Sequence, residues 1–113
     1  MKPPKREAVE KELGRIVEAL RPYRPKKILL FGSFARGDYH ALSDIDLLII
    51  KESDKKFTDR IVEVLDLCDS TIPLEPLVYT PAEYDQLLAE GNSFIAQAVE
   101  ESRVLYDEAE EGS

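Results

Sequence analysis

Two short runs of consecutive apolar residues, Ile28-Leu29-Leu30-Phe31 and Leu47-Leu48-Ile49-Ile50, decide most of what this chain can fold into. A bilayer span needs about 20 apolar residues, so neither run crosses a membrane. Runs this short, bounded by turn-forming residues, read as buried strands. The first, Lys26–Phe31, stops at Gly32, and the second covers Asp44–Lys51.

Around them the apolar spacing changes to that of helices. Val9, Leu13, Ile16, Val17 and Leu20 recur at helical intervals, which predicts an amphipathic helix over 5–21, stopped by Pro22 and Pro25. Ile61, Val64, Leu65 and Cys68 are expected to form the core face of a second helix. A third strand is expected over Ile72–Tyr79, with Pro76 assigning it to a sheet edge or a bulge. Thr80-Pro81-Ala82-Glu83 is a helix start with a capping box. Asn92 is expected to cap a last helix reaching about Ser102, packed by Ile95, Ala98 and Val99.

This order implies a small α/β (α+β) layer structure, with a mixed sheet of about three to four strands packed by helices. The link between the first two strands is about a dozen residues, short for a crossover helix, which points to mixed or antiparallel pairing there. One domain is expected over residues 1–106 and a frayed acidic tail over 107–113.

Net charge is −8, unevenly spread: residues 1–27 carry nine basic and four acidic side chains, the remainder six and nineteen. An acidic body repels phosphate backbones, so a broad nucleic-acid-binding face is not expected. The basic N-terminal segment reads either as a solvated helix face or as a dock for an acidic partner or a phosphate. The single cysteine, Cys68, excludes an internal disulfide, and with a charged N-terminus lacking an apolar stretch it points to the cytoplasm.

The segment that carries chemistry runs from Gly32 to Leu47. On a strand, residues i and i+2 share a face, so Asp44 and Asp46 stand side by side while Ile45 and Leu47 point into the core. Adjacent carboxylates raise each other's pKa, and a hard divalent cation such as Mg²⁺ removes that penalty. A strand running straight into Gly32-Ser33 makes a tight turn where backbone approaches a ligand closely. A helical turn starting at Ser33 would offer free N–H groups to an anion such as phosphate, with Arg36 three residues on. Taken singly, each half has a plainer reading: two solvent-facing aspartates at a strand end, and an ordinary Gly-Ser cap.

Together the halves are far more specific. Gly32-Ser33-x10-Asp44-x-Asp46, with Ala35-Arg36-Gly37 following Phe34, resembles the DNA polymerase beta-like nucleotidyltransferase superfamily. The short length looks like the minimal nucleotidyltransferases of prokaryotic toxin–antitoxin pairs. The resemblance is sharp over residues 26–50 and rests elsewhere on element order. It implies the family's palm-like fold, nucleotide phosphates on Gly32, Ser33 and Arg36, and catalytic Mg²⁺, two ions, held by Asp44 and Asp46. The family's third carboxylate falls on the next strand, where Glu75 is the match in place of the commoner Asp. Its plainer reading is a surface residue on an edge strand.

The implied reaction is attack of an acceptor hydroxyl on the α-phosphorus of ATP, with release of pyrophosphate. Larger relatives hold the acceptor in an added domain, so the missing wall is expected from a second copy in a homodimer or from another protein. The resemblance suggests a HEPN-domain toxin, neutralised by AMP transfer to one of its tyrosines. Two alternatives stay open: a module that neutralises its partner by contact, and a subunit of a small-molecule (antibiotic) nucleotidyltransferase.

Other signals fall away. Gly32-x4-Gly37 starts like a phosphate-binding P-loop, but Asp38-Tyr39 replace its Lys-Ser/Thr. The Asp44 region lacks the glycine of a Ca²⁺ loop. His40 reads as an exposed loop residue and Cys68 as helix packing.

Overall fold

The structure is a computed structural model that describes residues 1–111. Helix α1 (Arg6–Leu20) runs through a 3₁₀ turn, Arg21–Tyr23, into β1 (Lys27–Phe31). A four-residue helix α2 (Ser33–Arg36) and a loop lead to β2 (Ile45–Ile50), followed by α3 (Phe57–Cys68) and β3 (Leu74–Tyr79). Then come α4 (Pro81–Ala89), α5 (Ser93–Glu101), β4 (Arg103–Asp107) and α6 (Glu108–Glu111).

The four strands form one mixed sheet in the order β3-β2-β1-β4. β1 pairs antiparallel with β2 and β4, whereas β2 and β3 run parallel and are joined by α3. The short link between β1 and β2 thus closes an antiparallel pair, as its length requires. β3 is an edge strand, the place where Pro76 costs least.

Alternation along the strands divides the core in two. Ile28 and Leu30 of β1 and Ile45, Leu47 and Ile49 of β2 pack with Val9, Leu13, Ile16 and Leu20 of α1 and Val64 and Cys68 of α3. Leu29, Phe31 and Leu48 face the other way, under Ile95 and Ala98 of α5. The sheet is therefore sandwiched between two helical layers, which is why its central strands are apolar at every position but Lys27 and Asp46. Among the described residues, no helix is long and apolar enough to cross a membrane.

The expected caps form: Thr80 and Glu83 make a reciprocal capping box, and Asn92 Oδ1 accepts from the Ile95 amide at 3.0 Å. Two expectations need correction. Leu65 is not on the core face of α3 but 41% exposed; the buried stripe is Arg60, Val64 and Cys68, spaced i, i+4, i+8. Buried Arg60 donates to the Val78 carbonyl at 3.1 Å and to Glu83 at 2.7 Å, tying α3 to β3 and α4. The second correction concerns the C-terminus. Residues 103–107 form a fourth strand on β1, with a register shift at Ile28/Leu29, and 108–111 form a helical turn. The frayed tail expected over 107–113 thus begins inside ordered structure, while 112 and 113 lie outside the described residues.

Glu12, on the buried face of α1, holds the loop before β3. Its carboxylate accepts from the Thr71 amide at 2.7 Å, Ser70 Oγ at 2.9 Å and Arg15 Nε at 2.7 Å. These bonds, the Arg15 guanidinium first, outweigh burial and bring its pKa down to about 2. Because the folded value lies below the unfolded one of 4.5, this stabilisation is present above pH 4.5 and is lost as pH falls toward 2. Glu12→Gln should lower stability at pH 7 by about 2 kcal/mol and flatten the acid limb of urea-unfolding stability between about pH 4.5 and 2. An unchanged limb would assign the acid sensitivity to other groups.

Candidate active site

Gly32 is buried and carries a backbone that side chains do not tolerate, with φ 76° and ψ −158°. It stands where β1 turns into α2, and Arg36 donates its amide back to the Gly32 carbonyl at 3.0 Å. The tightness has a second cause. A Cβ built on Gly32 would overlap Asp46 Oδ2 and lie 3.1 Å from Asp46 Cγ. The glycine bend and the aspartate of the neighbouring strand are therefore in direct contact, with no room for even a methyl group between them.

The register of the sheet explains how. Phe31, the last residue of β1, lies opposite Asp46 on β2, and Glu75 on β3 lies opposite Asp46 from the other side. Ile45 and Leu47 are wholly buried on the α1/α3 face, so Asp46 projects from the face covered by α5. Asp44 and Glu75 both act electrostatically on Asp46. Its carboxyl is raised to about 6, first by burial, then by hydrogen bonding and repulsion from Glu75 and by the charge of Asp44, with Arg36 opposing. Asp46 and Glu75 thus stand side by side at the start of β2 and β3, beside the Gly32 bend, with Asp44 one residue before β2. Glu75 is exposed at the sheet edge.

A pocket opens here, lined by Phe31, Gly32, Ser33, Arg36, Asp46 and residues of α5. From α5 come Phe94, Gln97, Ala98 and Glu101. The Phe94 ring meets Phe31 edge-on at 5.9 Å between centroids. Glu101 accepts from the Gly32 amide at 2.9 Å and from Arg36 at 3.1 Å, while Arg36 also reaches Asp38 at 3.3 Å. None of the α5 residues was expected at the site. Their spacing, 94, 97, 98 and 101, is a helical stripe that sequence shows, but which face of the sheet it covers is fixed only by tertiary packing.

The donor set suits Mg²⁺. Crowded carboxylates of which one is held protonated toward neutral pH are what a hard cation relieves. Among the described residues no three His, Cys, Asp or Glu side chains converge as a preformed cage. Mg²⁺ commonly takes one or two carboxylates and completes its shell with substrate phosphates and water.

His40 is exposed in the loop before β2, and its Nδ1 accepts from the Leu42 amide at 3.3 Å. Cys68 is fully buried, its thiol pushed up to about 11 by burial. Neither is at the site.

Comparison with known proteins identifies the family. Residues 10–106 match the model of the nucleotidyltransferase domain. A protein of Methanocaldococcus jannaschii, provisionally named a protein adenylyltransferase, is 39% identical over 103 residues, spanning 86% of this chain and 97% of that one. Among solved structures, a nucleotidyltransferase of Sulfolobus solfataricus, also provisionally named, superposes with a TM-score of 0.60 at 22% identity, over 94% of this chain and 92% of that chain. A toxin–antitoxin complex with AMP-PNP gives 0.56 at 19% identity, covering 88% and 76%. The complex of a tri-AMPylated HEPN toxin of Shewanella oneidensis with its MNT antitoxin gives 0.52 at 15%, covering 91% and 76%. At these identities the structural likeness concerns the fold, whereas the domain match spans most of the sequence. The chain belongs to the nucleotidyltransferase family.

Proposed function

We propose that the chain transfers the adenylyl group of ATP to a hydroxyl group, that of a tyrosine on a HEPN-type toxin partner, and so acts as an antitoxin. The observation that carries this reading is the contact between the Gly32 bend and Asp46, which supports reading the bend as a phosphate turn set against metal-binding carboxylates. The names of the Methanocaldococcus relative and of the Shewanella complex support the choice of protein as acceptor.

The acceptor oxygen attacks the α-phosphorus, the bond to the β-phosphate breaks, and pyrophosphate leaves. The Gly32 amide, Ser33 and Arg36 hold and orient the phosphates. Asp44 and Asp46, with Glu75, would hold Mg²⁺, which when bound supplies neutralisation of phosphate charge. Glu75, exposed and opposite Asp46 in register, would take the hydroxyl proton or complete the metal's ligands. Positioning and charge neutralisation do the rest, which is why neither His40 nor Cys68 need take part.

The test is to incubate the chain with Mg²⁺, ATP and the product of the neighbouring reading frame, and to map adducts by mass spectrometry. An adenylate on a tyrosine of that protein is the expected result. No adduct, with undiminished neutralisation by Asp44→Asn/Asp46→Asn, would establish neutralisation by contact instead. An adduct on a small-molecule alcohol and none on protein would shift the acceptor class.

A further inference from the structure

We propose that the Glu101 carboxylate occupies the phosphate cradle of the ligand-free chain, and that a triphosphate binds by displacing it. This rests on the reading of Gly32 and Arg36 as phosphate ligands, and it adds a competitor for them built into the same chain.

Two of the three groups that a phosphate would use are already taken, and by one side chain. Glu101 Oε1 accepts from the Gly32 amide at 2.9 Å, and Oε2 accepts from the Arg36 guanidinium at 3.1 Å. A carboxylate bridging an amide and a guanidinium presents the same two-oxygen edge as a phosphate. The group is not a wandering surface acid. Its side chain is 19% exposed, it is the last residue of α5, and β4 follows after Ser102 alone. Ala98 and Phe94, on the same side of the helix, line the same pocket.

The contact has a reason to exist without ligand. Gly32 is buried, and a buried amide left unpaired destabilises the fold. Glu101 supplies the missing acceptor. Once a polyanion enters, the same carboxylate is a liability. It adds a fourth acid to a pocket already bordered by Asp46, with Asp44 and Glu75 beside it. One N–H cannot serve two anions at full strength, so phosphate gains the cradle only as Glu101 leaves. Apparent affinity is then the intrinsic affinity multiplied by the fraction of chains with the cradle open.

The experiment titrates inorganic tripolyphosphate calorimetrically into the full chain, Glu101→Gln and Glu101→Ala, with and without Mg²⁺, and records the melting temperature of each ligand-free protein. Glu101→Ala should bind tripolyphosphate roughly tenfold more tightly than the parent, and Glu101→Gln, which keeps an acceptor for Gly32 but loses the charge facing Arg36, more tightly by a smaller factor. Glu101→Ala should also melt lower, since it loses both bonds. Affinity up and stability down is a pairing that a merely structural glutamate would not give. Glu101→Gln, nearly isosteric and still able to accept from Gly32, keeps the test open if the alanine variant folds poorly. If the parent binds and the variants bind equally or more weakly, the displacement is wrong while the phosphate reading stands. Weakening seen only with Mg²⁺ would also overturn it, by making Glu101 a metal ligand. Binding by none of the three proteins would remove the phosphate reading and this inference together.

Discussion

Asp46→Asn should abolish adenylyl transfer while making the metal-free protein more stable at pH 8. The loss of activity is expected at roughly 10³-fold, the scale of several kcal/mol of charge stabilisation surrendered when a metal-binding carboxylate becomes an amide. The gain in stability follows from the titration of Asp46. Its folded value, about 6, lies above the ordinary 3.8, so between these values the native state binds more protons than the unfolded one. Stability therefore falls as pH rises from 3.8 to about 6 and stays lower above that. The side chain is partly solvated, so after discounting for screening the penalty is about 1 kcal/mol. The asparagine variant does not incur it. Melting curves in chelator from pH 4 to 8 should show the parent declining over that window and the variant flat. A variant that melts below the parent at pH 8, or that retains transfer, would show that Asp46 is a structural residue. A site that costs stability where it works is expected of strained functional groups.

How much of this was legible in the sequence follows from the range of the interactions involved. The aspartate pair and the Gly-Ser bend are local patterns, and the two buried strands between which they lie are short apolar runs. All of these could be read because their signals are confined to neighbouring residues. So could Thr80 and Asn92, whose caps close over three residues. What escaped depends on long-range packing. β4 is an edge strand with Val104 51% exposed, and its Arg-Val-Leu-Tyr-Asp sequence shows no alternation; it is a strand because β1 offers it a free edge. Leu65 was misplaced because Arg60, a residue type seldom buried, takes the core stripe by pairing with Glu83 and a strand carbonyl. Glu101 lies 69 residues from the glycine whose amide it holds, and nothing in either neighbourhood announces the other. The residues that the family pattern supplies are also the ones that the fold places locally. The wall of the pocket depends on which face of the sheet α5 covers.

Gly32→Ala should be strongly destabilising, and the reason can be divided experimentally. One part is conformational: at φ 76° and ψ −158° an alanine is strained wherever it is put, at about 1–3 kcal/mol. The other part is contact. The new Cβ would overlap Asp46 Oδ2, the tip of a short side chain, so the carboxylate must rotate away from the bend while the central strand that carries it stays in place. The sum should exceed about 3 kcal/mol, a large share of the stability of a domain this small. Shortening the other partner isolates the second part. In Gly32→Ala/Asp46→Ala the offending oxygen and its carbon are gone, and what remains is an ordinary approach of 3.4 Å to Asp46 Cβ. The double variant should recover about 1–2 kcal/mol relative to the sum of the single changes, as a favourable coupling in a urea-denaturation cycle. Strictly additive changes would mean that the bend and the aspartate do not touch in solution. The phosphate turn and the carboxylate cluster would then be separate features, and the site would lose the contact on which its chemistry depends.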